Sequence, residues 1–317
     1  MRDLYPEIQP FRQFFLETGG AHRVYVEQSG DPQGLPVIFL HGGPCSGVKP
    51  DHRRFFNPER YHIILLDQRG CGQSTPFGEL LDNDTPHLLA DLEQIRTELG
   101  IGQWVLFGGS WGATLALLYA QQYPENVSAM ILRGSFLARA EDMDWYLGGG
   151  LRRIYPQAWS ELLQALPEAA RVNPARALID AVFSEDEPTA LAAAKQWQNW
   201  GGLTALGPLF QANPEPASAR DLLQARMELH YARHHYFIAE NQILTQSARL
   251  PRAPTYIIHG QQDLVCPPDC AWLLRQALPH AAFILLPNAG HVARGAEMTD
   301  ALVSACDRIA EVLTGHG

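Results

Sequence analysis

A short apolar run, Trp104-Val105-Leu106-Phe107, leads straight into Gly108-Gly109-Ser110-Trp111-Gly112, and residues 113–123 continue with a helical pattern. A serine with glycine two residues away on each side, set between a strand and a helix, is a demanding local geometry. The turn is tight enough to strain the serine. Its neighbours at −2 and +2 must be small, because the strand and helix backbones crowd there. The following helix aims its N-terminus at the serine and favours negative charge developing beside it. A turn of this kind belongs to alternating strands and helices.

That alternation runs through the flanking sequence. Arg23 to Glu27 alternates like a strand, Pro36 to Leu40 is a continuous apolar run stopped by Gly42-Gly43-Pro44, and Tyr61 to Leu66 is another, stopped by Asp67-Gln68-Arg69-Gly70. Continuous apolar strands suit a sheet covered on both faces. Residues 85–99 read as a helix, with Thr85-Pro86 as N-cap and N1 and with Leu88, Leu89, Leu92 and Ile95 at helical spacing before Gly100. Val127 to Leu132 reads as the next strand. The expected fold is α/β, a mostly parallel central sheet with crossover helices on both faces.

The pattern changes after about residue 137. Residues 138–250 carry helical signals, such as 190–200 and 220–240, and almost no strand signals. Strand and helix alternate again from Thr255-Tyr256-Ile257-Ile258, through a helix near 270–278 and a strand at Phe283 to Leu286, to a helix near 298–313. The 317 residues therefore divide into a core of 1–137 and 251–317 with an inserted helical cap at 138–250.

Charge narrows the function classes. Lys and Arg number 24 against 34 Asp and Glu, a net charge of −10. A chain this acidic lacks the clustered cations that nucleic acid or an anionic membrane requires, so neither partner is expected. No apolar run approaches the ~20 residues of a membrane span. Residues 1–7 have no apolar segment resembling a secretory signal. The five cysteines are odd in number and scattered, which argues for a reducing, cytoplasmic setting. Gly70-Cys71-Gly72 lacks the third glycine of a dinucleotide fingerprint, and His230 and His234 lack a third ligand of matching context. No cofactor and no metal are expected.

A nucleophilic serine needs a base, and the base needs an orienting acid. On a sheet of this kind the order is serine, acid, histidine. Asp263 lies in the loop leaving the strand at 255–258, and His291 lies in the loop leaving the strand at 283–286. Both fall at the carboxyl edge of the sheet, where sites of open α/β sheets form. Asp269 is the rival acid, but it follows Pro267-Pro268 as a helix-start residue does, and His259 reads as structural. The oxyanion needs two backbone N–H donors. Trp111, after the serine, supplies one, and His41-Gly42-Gly43-Pro44 supplies the other through Gly43.

With these residues in view, the chain resembles the prolyl aminopeptidase (proline iminopeptidase) family of α/β-hydrolases. The matching segments are Leu4-Tyr5-Pro6-Glu7, His41 to Pro44, Asp67-Gln68-Arg69-Gly70-Cys71-Gly72-Gln73-Ser74, Gly108 to Gly112, Leu132-Arg133-Gly134, His259-Gly260-Gln261-Gln262-Asp263 and Gly290-His291. The resemblance implies an eight-stranded core with a helical cap, and removal of N-terminal proline from peptides without metal or cofactor. It also implies that Glu228, in Ala225-Arg226-Met227-Glu228-Leu229-His230-Tyr231, holds the substrate's α-amino group, and that Phe136 and Tyr146 line an apolar wall for the ring. Two departures stand out. Gly201 follows Trp197-Gln198-Asn199-Trp200 where the family carries a second amine-binding glutamate, and Gly148-Gly149-Gly150 follows Trp145-Tyr146-Leu147 where the family tends to show Glu-Gly. Fewer acids leave two substrate readings: a peptide with a free prolyl amine, or an ester, lactone or amide without one.

Overall fold

The computed structural model describes residues 1–315 except 165, 169 and 170. In chain order the first elements are β1 (Arg12–Glu17), β2 (Arg23–Gly30), β3 (Leu35–Leu40), β4 (Tyr61–Leu66), α1 (Thr85–Glu98), β5 (Trp104–Gly109), α2 (Trp111–Gln122) and β6 (Val127–Arg133). A run of helices follows: α3 (Ala140–Leu147), α4 (Pro156–Gln164), α5 (Pro174–Val182), α6 (Glu187–Leu206), α7 (Ala219–Arg233) and the single turn α8 (Gln242–Thr245). The chain then forms β7 (Thr255–Gly260), α9 (Pro268–Ala277), β8 (Ala282–Leu286) and α10 (Ala296–Thr314).

The strands make one eight-stranded sheet in the order β1-β2-β4-β3-β5-β6-β7-β8. β2 runs antiparallel to β1 and β4, and every pairing from β4 through β8 is parallel. Parallel strands all end at one edge, so the loops leaving β3, β4, β5, β6, β7 and β8 gather there. In register, Leu40 of β3 faces Gly108 of β5, and Gly109 faces Arg133 of β6. All six residues of β5 are buried. On one face α10 covers the sheet through Met298, Leu302 and Ile309, which join Val37, Phe39, Phe107 and Ile131 in one cluster. α2 is buried along its length from Trp111 to Gln121, as a mostly apolar helix inside a core should be.

Two compact units emerge: Met1–Leu137 together with Asn241–Gly317, and Ala138–Glu240. Residues 241–250, assigned to the helical insertion from sequence, pack with the first unit. Ile243 is fully buried, and its carbonyl accepts the Gln121 side-chain amide at 2.9 Å.

Local details differ from the sequence expectation in physical ways. β1 was not anticipated. It is an edge strand with only Leu16 fully buried, and adjacent Phe14 and Phe15 hide the period-two pattern. α1 is capped by Asp84, whose carboxylate accepts the His87 N–H, so Thr85 is the first helical residue rather than the cap. α7 stops at Arg233 rather than running to 240, because His235, Tyr236 and Phe237 all adopt positive φ. No helix among the described residues is long and apolar enough to cross a membrane.

Candidate active site

Ser110 joins β5 to α2 with φ 57° and ψ −123°, a conformation that non-glycine residues rarely adopt and that costs about 1–3 kcal/mol. Its N–H donates to the Arg133 carbonyl of β6 at 2.9 Å. The crowding expected on either side is present. A Cβ at Gly108 would sit 2.3 Å from the Gly112 carbonyl oxygen, and one at Gly112 would sit 2.0 Å from that of Leu40.

His291 and Asp263 meet this serine from the loops after β8 and β7. His291 Nε2 lies 3.1 Å from Ser110 Oγ, and its Nδ1 lies 2.8 and 3.0 Å from the Asp263 carboxylate oxygens. Asp263 Oδ1 also accepts the N–H groups of Val265 and Cys266 at 3.0 and 2.9 Å. Burial pushes this carboxyl up. The charge and hydrogen bond of His291, with smaller help from His259 and the Cys266 N–H, outweigh burial and hold it below its ordinary value. An ionised Asp263 therefore accepts the Nδ1–H hydrogen bond of His291, which leaves Nε2 to accept from the Ser110 hydroxyl. Asp269 lies in the first turn of α9. His259 is fully buried, donates to the Cys266 carbonyl at 2.8 Å, and is kept neutral chiefly by burial. It braces the Asp263 loop.

The loop after β3 lies against the serine: a Cβ on Gly42 would be 3.3 Å from Ser110 Cβ. Gly43 has φ +116°, which glycine alone takes easily. Trp111 opens α2, so its N–H belongs to the helix N-terminus beside the serine.

Two residues outside the sequence-based set join the parts of this edge. Gln68, after β4, accepts the Trp111 indole N–H and donates to the His41 carbonyl, both at 2.9 Å. Arg133 packs against Gly109 and donates to the His291 carbonyl. Their segments stood out only through resemblance, since nothing in a local pattern announces a bond between residues 158 positions apart.

Phe136 belongs to the first unit, where its carbonyl accepts the Thr114 hydroxyl at 2.7 Å. Glu228 and Tyr146 belong to the helical unit. Glu228 accepts the Trp197 indole N–H at 2.5 Å and the Gln224 amide at 3.0 Å. Burial raises this carboxyl, and those two neutral donors only partly offset it. The Tyr146 ring meets Trp197 edge-on at 5.8 Å, so Glu228 and Tyr146 flank the same indole. Among the described residues, a Cβ at Gly201 would meet only the Tyr146 hydroxyl, at 3.6 Å. The described residues contain no group of three His, Cys, Asp or Glu placed to hold a metal.

The family model described as alpha/beta hydrolase fold matches residues 36–293. A proline iminopeptidase of Xylella fastidiosa is 43% identical over 97% of this chain and 99% of its own length. One of Xanthomonas citri is 43% identical over 98% of this chain and 100% of its own. The chain belongs to the proline iminopeptidase family of α/β-hydrolases. Family membership makes it an enzyme and a hydrolase. Among solved structures, a bromoperoxidase from Bacillus anthracis aligns with TM-score 0.61 at 21% identity, covering 96% of this chain and 100% of that one, which speaks to the fold alone.

Proposed function

We propose that the chain is a serine aminopeptidase that releases N-terminal proline from peptides through an acyl-enzyme. Ser110 Oγ attacks the scissile carbonyl carbon while His291 Nε2 takes its proton. Asp263 holds the imidazole in the Nδ1–H tautomer and steadies the imidazolium that forms. The Gly43 and Trp111 N–H groups stabilise the tetrahedral oxyanion. Each such donor is worth about 2.7–4 kcal/mol in known hydrolases. Collapse breaks the C–N bond, and His291 returns the proton to the leaving amine. Water, activated by the same base, then cleaves the ester and frees proline and Ser110. Glu228 supplies the counter-charge for the substrate ammonium, with Phe136 and Tyr146 as apolar wall. The five buried cysteines fit a reducing compartment, such as the cytoplasm.

The hydrogen-bonded line from Ser110 through His291 to Asp263 carries this reading. Turnover of a prolyl arylamide tests it, with Ser110→Ala as control. Equal activity in the variant sinks the mechanism. One observation favours a second reading. Room exists at Gly201 but no acid fills it, so the same machinery could serve an ester, lactone or amide without a free amine. Faster turnover of N-blocked prolyl arylamide or of aryl esters than of the free-amine substrate favours that alternative.

A further inference from the structure

The loop after β4 arrives at the same sheet edge as the serine turn, yet the proposed reaction uses none of its side chains. Asp67, Gln68 and Arg69 of that loop are all polar and buried, and Gln68, 2% exposed, is the one whose carboxamide bonds to both the serine turn and the His41 loop. Its Oε1 accepts the indole N–H of Trp111, the residue after the nucleophile, at 2.9 Å. Its Nε2 donates to the His41 carbonyl at 2.9 Å, and its backbone N–H donates to His41 Nε2 at 3.1 Å. His41 Nδ1 in turn donates to the Gly42 carbonyl at 2.9 Å. The chain of bonds thus begins at Trp111 and ends one residue from Gly43.

We infer that Gln68 is a positioning residue for the oxyanion hole, a buried strut that sets the distance between its two N–H donors. The inference rests on the reading above, in which those donors are Gly43 and Trp111. The strand order explains why a strut is needed. β3 lies between β4 and β5, so the Gln68 side chain spans the end of β3 to reach the turn after β5. The His41 loop and Ser110 turn hang from adjacent strand ends, β3 and β5. Oxyanion donors work only within about 2.7–3.1 Å of the charge that develops. The residue type follows from the two partners. One side chain must accept from an indole and donate to a carbonyl at once. Glutamine does so whatever the pH: an ionised glutamate lacks the donor, lysine the acceptor, methionine the donor and leucine both. His41 must stay neutral for its Nε2 to accept, and its complete burial keeps it so.

The test compares Gln68→Leu, Gln68→Glu and Trp111→Phe with the parent enzyme. Each is assayed for kcat and KM, for inhibition by a substrate-derived aldehyde, and for inhibition by the free amino-acid product. The aldehyde forms a hemiacetal oxyanion on the serine, and the product does not. The expected result is a roughly 10- to 100-fold fall in kcat with KM within about threefold. Aldehyde affinity falls in step with kcat/KM, and product affinity holds. Adding Trp111→Phe to Gln68→Leu costs little more, because both remove the same bond. Folded variants with parental kcat overturn the inference, as does equal weakening of aldehyde and product. Trp111→Phe keeps the Gln68–His41 bonds and so reports even if the Gln68 variants fail to fold. Failure of the underlying reading looks different: Ser110→Ala then retains turnover. If the enzyme prefers aryl esters, the same comparison is made on an ester, whose carbonyl develops the same charge.

Discussion

Asp263→Asn isolates the orienting acid without changing its size. Asp263 Oδ1 accepts two backbone N–H groups, from Val265 and Cys266, so in the variant that position must remain the amide oxygen. An NH2 there would face two donors. The new NH2 therefore takes the Oδ2 position, 2.8 Å from His291 Nδ1. Two donors repel at that contact and leave Nδ1–H only the longer approach to Oδ1, 3.0 Å, which also serves two backbone N–H groups; the tautomer with its proton on Nε2, accepting from the new NH2, is therefore favoured and loses the lone pair presented to Ser110 at 3.1 Å. In serine-protease triads this exchange lowers kcat about 10⁴-fold, or about 5.4 kcal/mol in the barrier. The assay is kcat on a prolyl arylamide, with circular dichroism to establish the fold. A folded variant within about tenfold of the parent would refute the tautomer argument and return Asp269 to consideration. A stability measurement adds a second check. Asp263 is held below its ordinary value in the folded state, so its contribution is complete above the unfolded carboxyl value of about 4 and is lost as pH falls through the lower folded value. The parent should lose stability through that acid window more steeply than Asp263→Asn.

Further expectations follow from single contacts. Glu228→Gln should weaken substrate binding yet raise the melting temperature at pH 7: the carboxyl is raised by burial, so its ionisation opposes folding as pH climbs above the ordinary glutamate value, and Gln224 can turn its amide to keep both bonds. A melting temperature that falls at pH 7 would contradict this. Gly112→Ala should reach or exceed the upper end of the ~1–3 kcal/mol typical of overpacking, because the new Cβ meets rigid backbone at 2.0 Å; a soluble, active Gly112→Ala enzyme would disprove the crowding. Arg69 and Asp91 form a buried two-pronged pair, with both bonds at 2.7 Å, so Arg69→Met should cost about 3–5 kcal/mol in denaturant unfolding and Arg69→Met with Asp91→Leu much less. Equal losses in the single and double variants would show that the pair itself stabilises the fold.

The sequence carried the parts of the site that depend on local geometry. Ser110 was legible because a strand, a tight glycine-flanked turn and a helix leave a pattern within a dozen residues. Asp263 and His291 were singled out because each lies in the loop leaving an apolar strand at the expected place in chain order, and the structure brings them within hydrogen-bond reach of each other and of Ser110. Glu228 was singled out only through resemblance, since a helix glutamate looks alike in sequence whether it faces water or, as here, a Trp197 indole. β1 escaped because an edge strand needs only one buried side chain, Leu16, and leaves a weak pattern. The end of the helical unit at Glu240 escaped because the short turn carrying Ile243 is helical in sequence but packs beneath α2.

By itself, then, the sequence determined the alternation of strands and helices and the serine turn, and it singled out Asp263 and His291 as the candidate acid and base. These are properties of neighbouring residues, and periodicity and turn chemistry record them. Only the tertiary structure decided how the loops are held together. Gln68 between Trp111 and His41, and Arg133 between Gly109 and His291, join segments far apart in the chain. Their partners are chosen by the strand order β4-β3-β5-β6, in which neighbours in space are not neighbours in sequence. A buried amide such as that of Gln68 must find its partner there, because water is not at hand to satisfy it.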